Sequence, residues 1–187
     1  MTKHVLLAST VHATPYFIVR GMMPGPVMFI TSGVHGNETA SMAAAQKLAD
    51  DCATGRHAIQ RGLLIIVPRV NQQAYAKKIR GKQQFFSWRV NIGPTGGLIC
   101  MKPTACLNRT IPICRRVIKR MNRSIAIRDR HFNLKQHELP GSARTAASRR
   151  LQALSVTVET CWSLKRSTRI KYQTKIVHHF LREAGMS

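Results

Sequence analysis

The run Gly33-Val34-His35-Gly36-Asn37-Glu38 places an imidazole and a carboxylate three positions apart in a glycine-bracketed segment. On a turn, that spacing aims both side chains at one point, and two histidines plus one glutamate around an open fourth position form a catalytic zinc arrangement. The glycines suit a sharp change of direction because they carry no Cβ. The alternative is a polar loop in which Glu38 only serves the N-terminus of a helix, where the macrodipole favours negative charge.

Elements able to hold such a turn are legible on both sides of it. Residues 5–7, 16–19 and 27–31 are short apolar runs separated by turn signals such as Met23-Pro24-Gly25-Pro26, and they read as strands. From Glu38 to about Cys52 the chain is rich in Ala, Met, Gln and Leu, with no Pro or Gly, which predicts a helix. Residues 62–67 form a continuous apolar run suited to a strand buried on both faces. Further on, Gly93-Pro94-Thr95-Gly96-Gly97 reads as a loop and residues 113–122 as a basic amphipathic helix. Residues 153–158 alternate like a strand, and residues 172–184 put Ile176, Val177, Phe180 and Leu181 on one helical face, with Gly185 as the cap. The expectation is one domain over residues 1–187, with an irregular basic segment around 81–150.

Composition narrows the function classes. A hydrophobic content of 44% in 187 residues excludes a disordered polyelectrolyte, and no apolar run approaches the roughly 20 residues that cross a bilayer. The N-terminus, Met1-Thr2-Lys3-His4, does not develop a secretory signal, so a cytoplasmic location is expected. Five scattered cysteines with no C-x-x-C pair read as reduced structural thiols. Thirty Lys and Arg against seven Asp and Glu give a formal net charge of +23, which attracts anions. Between Cys52 and Arg128 there are 16 Lys and Arg and no acid.

Several stretches together resemble the succinylglutamate desuccinylase/aspartoacylase family, relatives of the zinc carboxypeptidases. These are Thr14-Pro15-Tyr16-Phe17-Ile18-Val19, Pro24-Gly25-Pro26-Val27-Met28-Phe29-Ile30 and the Gly33–Glu38 turn. The segment from Val70-Asn71-Gln72 to Arg80 is similar to one that ends in a substrate-binding Arg. Leu107-Asn108-Arg109-Thr110-Ile111-Pro112 is similar to an Asp-Leu-Asn-Arg-Thr-Phe-Pro motif, with Cys106 standing in place of the Asp. Val156-Thr157-Val158-Glu159-Thr160 resembles the late strand that carries the catalytic Glu.

The resemblance implies an α/β fold: a mixed central β-sheet flanked by helices, zinc carboxypeptidase-like, in a complete or an incomplete form. It implies one zinc ion per chain, with His35 and Glu38 as ligands and Glu159 as the general base that takes a proton from the attacking water. The family's third ligand is a His after a strand. His131 in Asp129-Arg130-His131 is the best candidate, and His137 beside Glu138 is the runner-up. Arg80, Asn108 and Arg109 would bind an anionic substrate, since a guanidinium pairs bidentately with a carboxylate. The implied activity is zinc-dependent hydrolysis of an amide or ester bond in a small acylated substrate.

Two other readings stay open. One is a catalytically impaired remnant of the same family, because two ligands alone hold catalytic zinc poorly. The other is a basic nucleic-acid-binding protein, with Arg115, Arg116, Lys119, Arg120, Arg123 and Arg128 tracking phosphates. A polybasic membrane-surface helix over residues 113–121 is a weaker variant of the second.

Overall fold

The computed structural model describes residues 1–78, 97–102, 110–134 and 153–187, with the backbone alone for 97–102, 110 and 111. The elements are β1 (Thr2–Leu6), β2 (Thr14–Arg20), β3 (Met23–Thr31), α1 (Thr39–Ala53), β4 (Arg61–Val67), α2 (Gln72–Ala76), β5 (Gly97–Lys102), α3 (Thr110–Asn122), β6 (Leu154–Val158) and α4 (Arg166–Glu183). A 3₁₀ turn, Arg128–Arg130, follows α3.

Six strands form one mixed sheet in the order β1-β2-β4-β3-β5-β6. The β3–β4 pair is parallel and every other pair is antiparallel. The central strands are the apolar ones. Met28 and Ile30 of β3, Leu64 and Ile66 of β4, Phe17 and Val19 of β2 and Leu154 and Val158 of β6 supply the sheet side of the core. Helices supply the other side through Ala45, Leu48 and Ala49 of α1, Cys114, Val117 and Met121 of α3, and Ile176, Phe180 and Leu181 of α4. Both α1 and α3 pack on α4.

The sequence expectation of a β4 buried on both faces is corrected. Leu64 and Ile66 are fully buried, whereas Leu63 and Ile65 are only half-buried, so the strand alternates like a sheet with one main packed face. The described residues of the basic segment contribute one strand and one α-helix. The strand is β5, which begins at Gly97 of the expected loop and lies between β3 and β6. The helix is α3, where Pro112 sits in the first turn and its missing N–H costs nothing. The apolar side of α3 is committed to the core, which removes the membrane-surface reading of that helix. No helix among the described residues is long and apolar enough to cross a membrane.

The end of α4 is closed as expected. Gly185 N–H donates to the Arg182 carbonyl (3.0 Å) and Met186 N–H to the Leu181 carbonyl (2.9 Å), a Schellman cap that seals two orphan carbonyls. Met186 is fully buried, and its carbonyl accepts from Gln60 N–H (2.8 Å), tying the C-terminus to the start of β4. Glu183 joins α3 to α4 by accepting from Arg116 Nε (2.6 Å) and Arg120 (2.8 Å). Burial pushes the Cys52 and Cys114 thiols up to about 11, so both remain neutral packing groups.

One contact between the end of α1 and α4 makes stability depend on pH. The His57 and His178 rings stack at 4.5 Å and 10°, and the Nε2 of each is buried with no hydrogen-bond partner among the described residues. Burial first, then the neighbouring His57, pushes His178 from 6.5 down to about 4; Lys47 and His179 add to the shift and Asp51 opposes it. His57 is lowered too, again mainly by burial. Because the unfolded chain takes up these protons near 6.5 and the folded chain does not, stability is full above that pH and is lost as pH falls towards 4. Thermal unfolding from pH 7 to 4.5 should show a loss of about 1–2 kcal/mol, discounted for the half-exposed ring, which is a few degrees in Tm. His178→Gln should flatten this slope. Asp51, held below 3.8 first by its hydrogen bond from Lys47, gives up its contribution only at still lower pH.

Candidate metal and catalytic site

The turn after β3 is pinned at both ends by backbone hydrogen bonds to the chain that leaves β4. Ser32 N–H donates to the Val67 carbonyl (3.1 Å), and Val70 and Asn71 N–H donate to the Ser32 and Gly33 carbonyls (2.9 and 3.1 Å). Ser32 Oγ, buried, donates to the Pro68 carbonyl at 2.5 Å. The Asn71 side chain accepts from Ala74 N–H (2.9 Å) and so starts α2 directly beside the turn. Gly33 sits at φ +71°, a left-handed backbone that side chains resist. At Gly36 the constraint is closeness: a Cβ there would lie 1.8 Å from the Ala74 carbonyl oxygen.

His35 and Glu38 are both buried, at 7% and 6% exposure. Glu38 is the N-cap residue of α1, yet its carboxylate makes no cap hydrogen bond to the helix. It folds back into the turn, where Oε2 accepts from Val34 N–H (3.1 Å) and His35 N–H (3.4 Å). The reading of Glu38 as a plain helix cap therefore does not describe its side chain. Its backbone still begins α1, accepting from Met42 N–H and Ser41 Oγ. A buried imidazole and a buried carboxylate on one rigid turn suit a divalent ion with nitrogen and oxygen ligands.

The sheet register decides where Glu159 falls relative to this turn. Thr31 of β3 pairs with Leu98 of β5, and Leu98 pairs with Thr157 of β6. With two antiparallel pairings between them, β3 and β6 run in the same direction. Gly33 and Glu159 each follow their register residue by two positions, so both leave the sheet at the same edge. The strands are two places apart, about 10 Å at the usual spacing. Glu159 is exposed at that edge. Its neighbour Thr160 accepts at Oγ1 from the buried Gln173 of α4 (3.1 Å), which steadies the chain leaving β6. Nothing in the sequence marks Gln173 for this role, because the contact depends on how α4 packs.

His131 follows the 3₁₀ turn beyond α3. Its Nε2 lies 2.8 Å from the Ile125 carbonyl, and since a carbonyl only accepts, that nitrogen carries the proton. The lone pair of the neutral ring is then on Nδ1. Asn122 and Phe132 exchange two hydrogen bonds across the same loop. Among the described residues no three His, Cys, Asp or Glu side chains gather as a metal-binding group, so His131 is not brought to His35 and Glu38. Arg80, Asn108 and Arg109, together with His137 and Glu138, lie outside the described residues.

Comparisons with known proteins agree with this architecture. Residues 24–160 match the succinylglutamate desuccinylase/aspartoacylase catalytic domain, a span from β3 to the residue after Glu159. Among curated proteins none matches in sequence. Similar solved structures include the product-bound cell shape determinant protein Csd4 from Helicobacter pylori, with a TM-score of 0.65 at 10% identity, over 92% of this chain and 55% of that one. The product-bound ectoine utilization protein EutE (DoeB) from Ruegeria pomeroyi gives 0.59 at 16% identity, over 93% and 61%. A succinylglutamate desuccinylase/aspartoacylase from Rhodobacter sphaeroides gives 0.54 at 16% identity, over 93% and 59%. At these identities the likeness is one of fold, and the chain spans only 55–61% of the length of these three structures. The match over most of the chain nevertheless identifies its family: it belongs to the succinylglutamate desuccinylase/aspartoacylase family.

Proposed function

We propose that the chain is a zinc-dependent deacylase, hydrolysing an amide or ester bond of a small anionic acylated substrate. The observation that carries this reading is the shared sheet edge: the buried His35–Glu38 turn and Glu159 leave parallel-running strands on the same side. Family membership gives the reaction class.

His35 and Glu38 fit zinc as one nitrogen and one oxygen ligand, the carboxylate positioned by two N–H donors. Zinc, when bound there, supplies a Lewis acid that polarises the scissile carbonyl and acidifies water. His131 is the proposed third donor through Nδ1, its Nε2–H already oriented by the Ile125 carbonyl, the kind of partner that fixes the tautomer of a ligating histidine. Among the described residues it is not gathered with the other two. Glu159 takes a proton from the attacking water on its carboxylate and returns it to the leaving amine or alcohol. Arg80, Asn108 and Arg109 hold the substrate's carboxylate, where a bidentate guanidinium gives both charge and orientation.

A zinc-supplied preparation incubated with N-acylated acidic amino acids and with simple acyl esters tests the activity. Release of free amine or alcohol, stopped by a chelator and restored by added zinc, is the expected result. Folded, zinc-loaded protein that leaves the whole panel intact would contradict it.

A further inference from the structure

The outer surface of α3 and α4 carries a second, separate chemistry. α3 is strongly amphipathic, and its apolar side, Cys114, Val117 and Met121, is buried at 3%, 0% and 0% exposure. Its opposite side is basic and exposed: Arg115, Arg116, Lys119 and Arg120, with Arg123 in the turn that follows. Glu183 engages two of these, Arg116 and Arg120. Arg115, Lys119 and Arg123 remain, spaced four residues apart in one row at about 6 Å per step along the axis. They make no ion pair among the described residues.

Positive charge continues across α4. Burial, followed by the charges of Arg182, Lys175 and Arg120 and opposed by Glu183, holds His179 below its ordinary value, so this part of α4 senses cations of both helices. In the next groove, between α1 and α4, Lys47, Lys171 and Lys175 line a cavity of about 320 Å³. Lysines and arginines thus stand on the outer sides of three helices, with Lys47 paired to Asp51 and Arg116 and Arg120 paired to Glu183.

We propose that this helical surface binds nucleic acid through its phosphate backbone, without reading sequence. Guanidinium and ammonium groups in a row match phosphates, and such contacts position a strand but carry no base information. A lipid surface fits less well. Among the described residues the exposed large apolar side chains belong to other segments: Val5, Leu6 and Met22 at the strands, and Ile127 and Trp162 singly in the chain flanking the helices, Trp162 lying under Arg169 of α4; the apolar stripe of α3 is occupied by the core. The proposal does not depend on the hydrolytic reading, since none of these residues is a proposed ligand, base or substrate contact.

Binding of a short mixed-sequence RNA and of a DNA duplex, followed by fluorescence anisotropy across a salt series, tests it. The logarithm of affinity should fall linearly with the logarithm of salt concentration. The triple variant Arg115→Gln, Lys119→Gln, Arg123→Gln removes exposed charges only. It should weaken binding about tenfold or more at low salt and reduce the slope by about 2–3, near 0.7–0.9 per lost phosphate contact. A control of equal charge, Lys3→Gln, Arg20→Gln, Arg61→Gln on β1, β2 and β4, should change affinity less than about twofold if binding is local rather than a response to net charge. Equal losses in both triples would reduce the effect to net charge and overturn the assignment. So would wild-type affinity in the α3 variant, or wild-type protein that binds phosphatidylserine vesicles but neither nucleic acid.

Discussion

Glu159→Gln should lower kcat of the proposed hydrolysis by about 10²–10⁴ while leaving bound zinc and KM close to wild type. The substitution keeps the shape of the side chain and removes its ability to accept a proton from water. Glu159 lies beyond the last residue of β6 and is exposed, and the amide keeps its size and hydrogen-bonding capacity, so the cost to folding should be small. A fall in kcat with metal content preserved separates a base from a ligand. Equal loss of zinc and activity would instead make Glu159 part of the metal's own coordination. Measuring kcat, KM and zinc per chain on one preparation distinguishes the two.

Gly36→Ala should be a strongly damaging small substitution. The added methyl would meet the Ala74 carbonyl at 1.8 Å, and both atoms are fixed: Gly36 belongs to the pinned turn and Ala74 to the helix capped by Asn71. One of the two backbones must move. We expect a loss of about 3 kcal/mol, or roughly 6–12 °C in Tm, together with loss of the metal site because His35 is the adjacent residue. Gly55→Ala is the natural comparison. Gly55 has φ +74° but nothing within 4 Å, so only the left-handed backbone penalty of about 1–2 kcal/mol applies. A Gly36 variant no less stable than the Gly55 variant would show that the turn and α2 are not in rigid contact.

Local patterns made much of this fold readable. The apolar runs of β2, β3, β4 and β6 and the Ala-rich α1 stand out because their periodicity and turn signals agree, and the glycine turn sits where a strand gives way to a helix. β5 was hidden for a physical reason. Its four apolar residues, Leu98 to Met101, lie between a glycine-rich run and Lys102, and its pairing partners are Val27–Thr31 and Leu154–Val158, far away in sequence. That strand is also what gives β3 and β6 the same direction. The types of His35, Glu38 and Glu159 could be read locally, but their common edge is a consequence of β5. The His57–His178 stack and the Gln173–Thr160 bond likewise join distant segments, and no spacing rule signals them.

The turn after β3 is proposed to hold a metal ion. Zinc per chain, measured after loading and desalting in wild type, His35→Ala, Glu38→Ala and His131→Ala, tests it most directly. Close to one zinc is expected in wild type, with near-complete loss in the His35 and Glu38 variants and reduced retention in the His131 variant. Zinc-supplied wild-type protein that retains none, or His35 and Glu38 variants that retain as much as wild type, would contradict it.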